Sequence, residues 1–228
     1  MIDKGVSGNR IAIFDLDGTL IDSDRWLSRE LIETFKGLGV SITEEEANIE
    51  GKRDKYKLAY KHGFSKKELD RSYRQNVKCL YTLNNALRSG ELALYPEILR
   101  TLASLRKNGV ALGLLPRATR ERDVALKVQR LRLGEYFEDR IVVVPNNGHN
   151  TKYKGAVDLL IKMQGQNGKV YCIGDRAEDV VVADDLKGNN QIDAEGIYVH
   201  RLNSPDADLT RYKRVKSLEE IPDLVLKK

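Results

Sequence analysis

The segment Ile11-Ala12-Ile13-Phe14-Asp15-Leu16-Asp17-Gly18-Thr19-Leu20 constrains this chain more than any other. Four apolar residues end at a carboxylate, and a second carboxylate follows two positions later. A short apolar run bounded by turn residues reads as a buried strand of a parallel sheet. Open α/β sheets place their ligands outside the carboxyl ends of such strands. Asp15 and Asp17 share a side if strand geometry persists that far, and Gly18 lets the backbone turn just after them. Two adjacent carboxylates repel unless a cation lies between them or one holds a proton. The pair is therefore a seat for Mg²⁺, which takes oxygen ligands, and for a nucleophile beside an acid/base.

The rest of the chain supplies the sheet that such a strand needs. Further strands are expected at Val110–Leu115, Ile141–Val144, Lys169–Ile173 and Gly196–His200, with a short last one near Lys213–Lys216. Helices are expected at Pro96–Asn108, Arg120–Leu131, Gly155–Gln164 and Asp179–Lys187. In the first of these, Ile98, Leu99, Leu102 and Leu105 recur at helical spacing between a starting Pro96 and a stopping Gly109. Strands alternating with single helices imply parallel βαβ units with right-handed crossovers. The expected fold class is α/β, a Rossmann-like parallel sheet with helices on both faces.

One stretch breaks the alternation. Residues 24–91 contain no strand-like run. Trp26, Leu27, Leu31, Ile32, Phe35 and Leu38 make one amphipathic helix, and Lys57–His62, Lys66–Val77 and Val77–Leu87 suggest others. The expected division is a core of residues 1–23 and 92–228 with a helical insert, 24–91.

A second acidic motif closes the α/β part. The apolar run from Val170 ends in Gly174-Asp175-Arg176-Ala177-Glu178-Asp179. Asp175 sits at a strand end and Asp179 in the first turn of the helix that follows. Helix starts favour acids in any case, so GDxxxD alone says little. Paired with DLDGTL at the other end of an α/β pattern, it says much more.

Together these motifs resemble those of the haloacid dehalogenase-like hydrolases, most of which are Mg²⁺-dependent phosphatases. The resemblance covers essentially the whole chain. It implies that Asp15 attacks phosphorus to form an aspartyl-phosphate, and that Asp17 protonates the leaving oxygen and later activates water. It implies metal binding by Asp15, Asp17, Asp175 and Asp179, with Asp175 as the first choice in the second motif. Asp179 is either a second ligand or an orienting acid. A second Asp at position 17 argues for phosphoryl transfer over carbon–halogen cleavage. The helical insert is similar to the α-helical cap of the phosphoglycolate phosphatase-like and β-phosphoglucomutase-like members.

Two further signatures of that family are less tidy here. A Thr or Ser is expected at the end of the second strand, to hold a phosphoryl oxygen. Pro116 stands there, with neither hydroxyl nor N–H. Arg117, Thr119 and the turn at Gly18 are the alternative phosphate binders, although Thr119 is equally an N-cap for the helix beginning near Arg120. The family's active-site lysine is expected at Lys152 or Lys154, and either spacing to Asp175 is acceptable.

Composition limits the remaining classes. Lys and Arg total 39 against 34 acids, a net charge of +5. The charges interleave, as in Lys66-Lys67-Glu68, which reads as a solvated surface and makes nucleic acid an unexpected partner. No apolar run approaches membrane-spanning length, and the first ten residues are polar. Two cysteines, Cys79 and Cys172, make no disulfide framework, so the expected location is the cytoplasm. The histidines His62, His149 and His200 lack metal-ligand spacing. The resulting expectation is a cytoplasmic, Mg²⁺-dependent phosphatase of a small phosphorylated metabolite. A phosphomutase or a non-catalytic binding protein of the same fold remains an alternative, and the sequence sets no oligomeric state.

Overall fold

The computed structural model describes residues 9–48, 52–77, 83–118, 120–145, 151–163, 168–201 and 209–227. Cys79, Thr119 and His149 lie outside them. The chain divides into two compact units, Met1–Ile21 with Leu94–Lys228, and Asp22–Ala93. Two-residue strands, Ile21–Asp22 and Ala93–Leu94, mark the points where the chain passes from one unit to the other.

Among the described residues the main sheet of the larger unit has five parallel strands. Their order across the sheet is Val110–Leu114, Asn9–Phe14, Gly168–Gly174, Ala194–Val199 and Lys213–Val215. The first strand in sequence is thus central, paired on both sides. In register, Phe14 lies beside Leu114 on one side and Ile173 on the other. The residues just past these positions, Asp15, Leu115 and Gly174-Asp175, therefore arrive together at one sheet edge. The run Ile11–Phe14 is buried, as a strand covered on both faces must be. One core gathers Ile11, Ile13, Ala111, Val170 and Cys172 from the strands against Leu159, Val182 and Leu186 from helices and Met163 just past a helix end.

Helices Ile98–Lys107, Glu121–Arg130, Thr151–Lys162 and Ala177–Asn190 connect the strands. The expected α/β class and its alternation are both present. Two details differ from the sequence reading. Ile141–Val144 is not a regular strand. Ile141 bridges Leu114 in parallel, and Val142 and Val144 donate to the carbonyls of Leu114 and Pro116 at 3.0 and 2.8 Å. The segment follows the sheet edge without becoming a full strand, and only Val144–Pro145 pairs, with Arg117–Ala118. The next helix begins at Thr151 rather than Gly155. Gly155 lies inside it because a β-carbon there would stand 2.6 Å from Val144 and 2.9 Å from Leu115. Glycine lets this helix press against the strand end, and Lys152 falls in its first turn.

Among its described residues the smaller unit holds the helices Asp24–Lys36, Glu44–Glu46, Lys52–Lys61, Lys66–Ser72 and Leu83–Ser89. Asp54 leaves helical geometry and kinks the third of these. Thr43 with Glu46 and Ser65 with Glu68 form capping boxes that start two of the helices. Its core is Phe35, Ile42, Ala47, Leu58, Ala59 and Leu69.

Candidate active site

The site is built where the first and third strands of the chain's parallel sheet end. The Asp15 N–H donates to the Ile173 carbonyl at 2.9 Å, so the ladder continues one residue past the strand and fixes the Asp15 side-chain direction. The loop then closes on itself, with Gly18 donating to Ile21 and both Leu20 and Ile21 donating to Leu16. Gly18 takes a positive φ of 84°, and a β-carbon there would lie 2.4 Å from an Asp175 carboxylate oxygen. Glycine is required both for the turn and for the approach of the two acidic motifs.

Thr19 ties those motifs together. It is fully buried. Its hydroxyl donates to Asp175 Oδ1 at 2.8 Å and accepts from the Asp175 N–H at 3.1 Å. Asp179 is held in turn by the Arg176 N–H, which donates to its Oδ2 at 3.0 Å. Carboxylate oxygens of Asp15, Asp175 and Asp179 all lie within 4.8 Å of one another.

Lys152 enters this acidic cluster from the first turn of its helix. Its Nζ lies 2.5 Å from Asp15 Oδ1, 2.8 Å from Asp179 Oδ1 and 2.7 Å from the Leu115 carbonyl. The lysine is 4% exposed. Burial pulls its ammonium pKa down, but the charges of Asp15 and Asp179 outweigh burial and hold it above the ordinary lysine value. Lys154, two residues on, is exposed.

The acids respond in the opposite sense. Burial, then the charge of Asp179, lifts Asp15 to about 6, with Lys152 opposing. Burial, then Asp179 and Asp15, lifts Asp175 to about 7, with Arg176 opposing. Crowded, buried carboxylates with only partial compensation are what a divalent cation would relieve. The donor set is all oxygen, which suits Mg²⁺. The residues present therefore fit such an ion.

Asp17 is placed differently. Its carboxylate is not among the three clustered acids. Instead Lys127 Nζ reaches Asp17 Oδ1 at 2.7 Å and Oδ2 at 2.6 Å. Lys127 comes from the helix Glu121–Arg130 and was not singled out from the sequence, nor was Thr19. A signal for Lys127 was there. Val124, Lys127, Val128 and Leu131 fall at the i, i+3, i+4, i+7 spacing of an apolar stripe, and a lysine inside such a stripe needs a buried partner.

Arg117 pairs with Glu178 at 2.7 Å. Thr119 is outside the described residues, and the N-cap position of the following helix falls on Arg120. Pro116 is buried and its carbonyl accepts from Val144. It contributes no donor to the sheet edge.

Comparison with known proteins agrees with this geometry. Residues 12–187 match the family described as haloacid dehalogenase-like hydrolase. A phosphoglycolate phosphatase of Pseudomonas fluorescens is 28% identical over 188 residues, 76% of this chain and 65% of that protein. The chain thus spans about 65% of the length of that curated relative. Among solved structures, a haloacid dehalogenase-like family hydrolase of Streptococcus pneumoniae superposes with a TM-score of 0.67 at 20% identity, over 95% of this chain and 98% of that one. A HAD phosphatase of Thermococcus onnurineus gives 0.60 at 20% identity, over 94% and 97%. The structural likenesses speak for the fold. The family match spans most of the chain and includes both acidic motifs, and on that ground the chain belongs to the haloacid dehalogenase-like hydrolases.

Proposed function

We propose that this chain is a Mg²⁺-dependent phosphatase that hydrolyses a small phosphorylated metabolite through an aspartyl-phosphate on Asp15. The observation that carries the reading is the contact between Asp15 Oδ1 and the Nζ of the buried Lys152. It leaves Asp15 Oδ2 as the oxygen that attacks, on a carboxylate whose orientation is fixed by the sheet behind it. Preset geometry of this kind lowers the entropic cost of attack. Asp17, two residues on, gives a proton to the leaving oxygen and then takes one from water.

Asp15, Asp175 and Asp179 would hold the metal ion. When bound, the ion supplies positive charge against the transferring phosphoryl group. Lys152 adds a second positive charge beside the nucleophile, where negative charge from the phosphoryl oxygens must be accommodated. The helical stretch 24–91 is assigned the role of the cap, and 1–23 with 92–228 that of the catalytic core. The phosphoglycolate phosphatase likeness points to a small anionic phosphate ester as substrate. A cytoplasmic location is consistent with a free Cys172. Among the described residues no helix is long and apolar enough to cross a membrane.

The test is phosphate release from a panel of phosphorylated metabolites, with Mg²⁺ and with a chelator. Release should require the metal, and Asp15→Asn should abolish it. Release by Asp15→Asn at near the native rate, with contaminating phosphatase excluded, would remove the aspartyl-phosphate mechanism. Conversion of a sugar phosphate to its isomer without free phosphate would mark a mutase instead.

A further inference from the structure

We propose that Lys127 is the positioning residue for the acid/base Asp17, so that the two working carboxylates each have their own lysine. The proposal rests on the phosphatase reading above. Lys127 Nζ contacts both Asp17 oxygens, and its side chain is only 8% exposed against 30% for Asp17. Taking an ammonium out of water costs several kcal/mol unless a good partner receives it. An apolar residue at this stripe position would pack without that cost. Lys127 therefore stands where folding alone does not ask for a lysine.

The contact also has a useful geometry. A carboxylate offers about four lone-pair directions, two per oxygen. Lys127 occupies one side of both oxygens, and Asp17 keeps a partly exposed side for a leaving group or a water. Asp15, two residues before Asp17, clusters with Asp175 and Asp179. Their charge repels an ionised Asp17, and Lys152 is already engaged with Asp15 and Asp179. Without Lys127, Asp17 would turn toward solvent, out of reach of the reacting oxygen.

The chemistry needs that orientation twice. In the first half, an Asp15 oxygen forms a bond to phosphorus and the bond from phosphorus to the leaving oxygen breaks. Its electron pair stays on the leaving oxygen, which takes the proton of Asp17, and Lys127 receives the carboxylate as it forms. In the second half, that carboxylate takes a proton from water. The water oxygen bonds to phosphorus, the bond to Asp15 breaks, and inorganic phosphate leaves. A fixed carboxylate serves both proton transfers, while a mobile one serves neither well.

The test compares two aryl phosphates of similar shape. p-Nitrophenyl phosphate has a leaving group that departs without a proton, whereas phenyl phosphate needs one. General acid catalysis contributes about 10²–10⁴-fold. Lys127→Met should therefore lower kcat/KM for phenyl phosphate at least about tenfold more than for p-nitrophenyl phosphate. With the nitrophenyl ester, phospho-enzyme hydrolysis should become limiting, and a burst of nitrophenol equal to the enzyme concentration should appear. Lys127→Arg, which keeps a cation that can meet both oxygens, should restore most of the lost ratio. Equal loss on both esters with no burst would show that Lys127 only supports the fold, and would overturn the proposal while leaving the phosphatase reading intact. If the native enzyme releases phosphate from no ester, the phosphatase reading falls and this proposal with it. Should Lys127→Met not fold, Lys127→Gln is read by the same ratio and the same burst.

Discussion

Replacing Lys152 with methionine should destabilise the protein by about 4 kcal/mol near neutral to mildly alkaline pH, and much less in mild acid. Lys152 makes two buried ion contacts and one hydrogen bond to the Leu115 carbonyl. Removing one partner of a buried pair costs about 3–5 kcal/mol, because the other charge is left without compensation. A buried carbonyl that loses its donor adds about 1–3 kcal/mol. Part of this is recovered when the orphaned acids take up protons. The sign follows from the direction of the shift. Asp15 has its folded pKa raised to about 6 from 3.8, so the folded state binds this proton more tightly than the unfolded chain does. The stability this group lends is complete below the unfolded value and is lost as pH rises through the folded one. Without Lys152 the proton is held more tightly still, so the mutant falls further behind the native protein as pH rises. Urea unfolding followed by circular dichroism, in chelator, at about pH 5 and about pH 8, reads the difference directly. The loss at the lower pH should be roughly half that at the higher one. Mg²⁺ should return part of it, since the ion takes over the missing positive charge. A loss under about 1 kcal/mol at the higher pH, or the same loss at both, would refute the idea that Lys152 neutralises buried acids.

Two further outcomes follow from the same cluster. Mg²⁺ binding must displace the protons of Asp15 and Asp175, raised to about 6 and about 7, so affinity should climb steeply between these values and level off above them. Calorimetry in buffers of different ionisation heat should show proton release near pH 6, and none would count against these acids as ligands. Gly18→Ala forces a side chain into a positive-φ turn and against the Asp175 carboxylate at 2.4 Å. It should cost about 1–3 kcal/mol in stability and weaken Mg²⁺ binding at least about tenfold by calorimetry; unchanged metal affinity would mean that Asp175 is free to move aside.

The fold was legible where apolar runs are long and alternate with amphipathic stretches. Ile11–Phe14 and Lys169–Ile173 lie in strands of the sheet, as does Val110–Leu115 but for its last residue. Legibility failed where tertiary contact decides local form. Gly155 reads as a helix boundary by propensity, yet it sits inside a helix because Val144 and Leu115 leave no room for a β-carbon. Ile141–Val144 has a strand's composition, but it follows the sheet edge and pairs only in part. Within the site, each acid could be located from its motif, because position along a strand decides which edge it reaches. Of their partners, the family resemblance pointed to Lys152 or Lys154 for the first acid, while Lys127 was missed. Lys152 is 137 residues from Asp15 in sequence, and Lys127 is 110 from Asp17. No local pattern encodes a contact over that span, and only the polar residue in an apolar stripe hints at it.

That long-range placement is what separates the two acids. Asp15 and Asp17 are the same residue type, two positions apart, on one loop. Nothing in their own chemistry separates the proposed nucleophile from the proposed acid/base, but their surroundings differ. Asp15 is buried against Asp179 and Asp175, with Lys152 on one oxygen. Asp17 is more open and has a cation across both oxygens. Each lysine rises from a helix that follows an edge segment of the sheet, Val110–Pro116 for Lys127 and Ile141–Pro145 for Lys152. On the proposed phosphatase reading, a site without the usual hydroxyl at position 116 still has a lysine beside each of its two motif acids, Lys152 at Asp15 and Lys127 at Asp17.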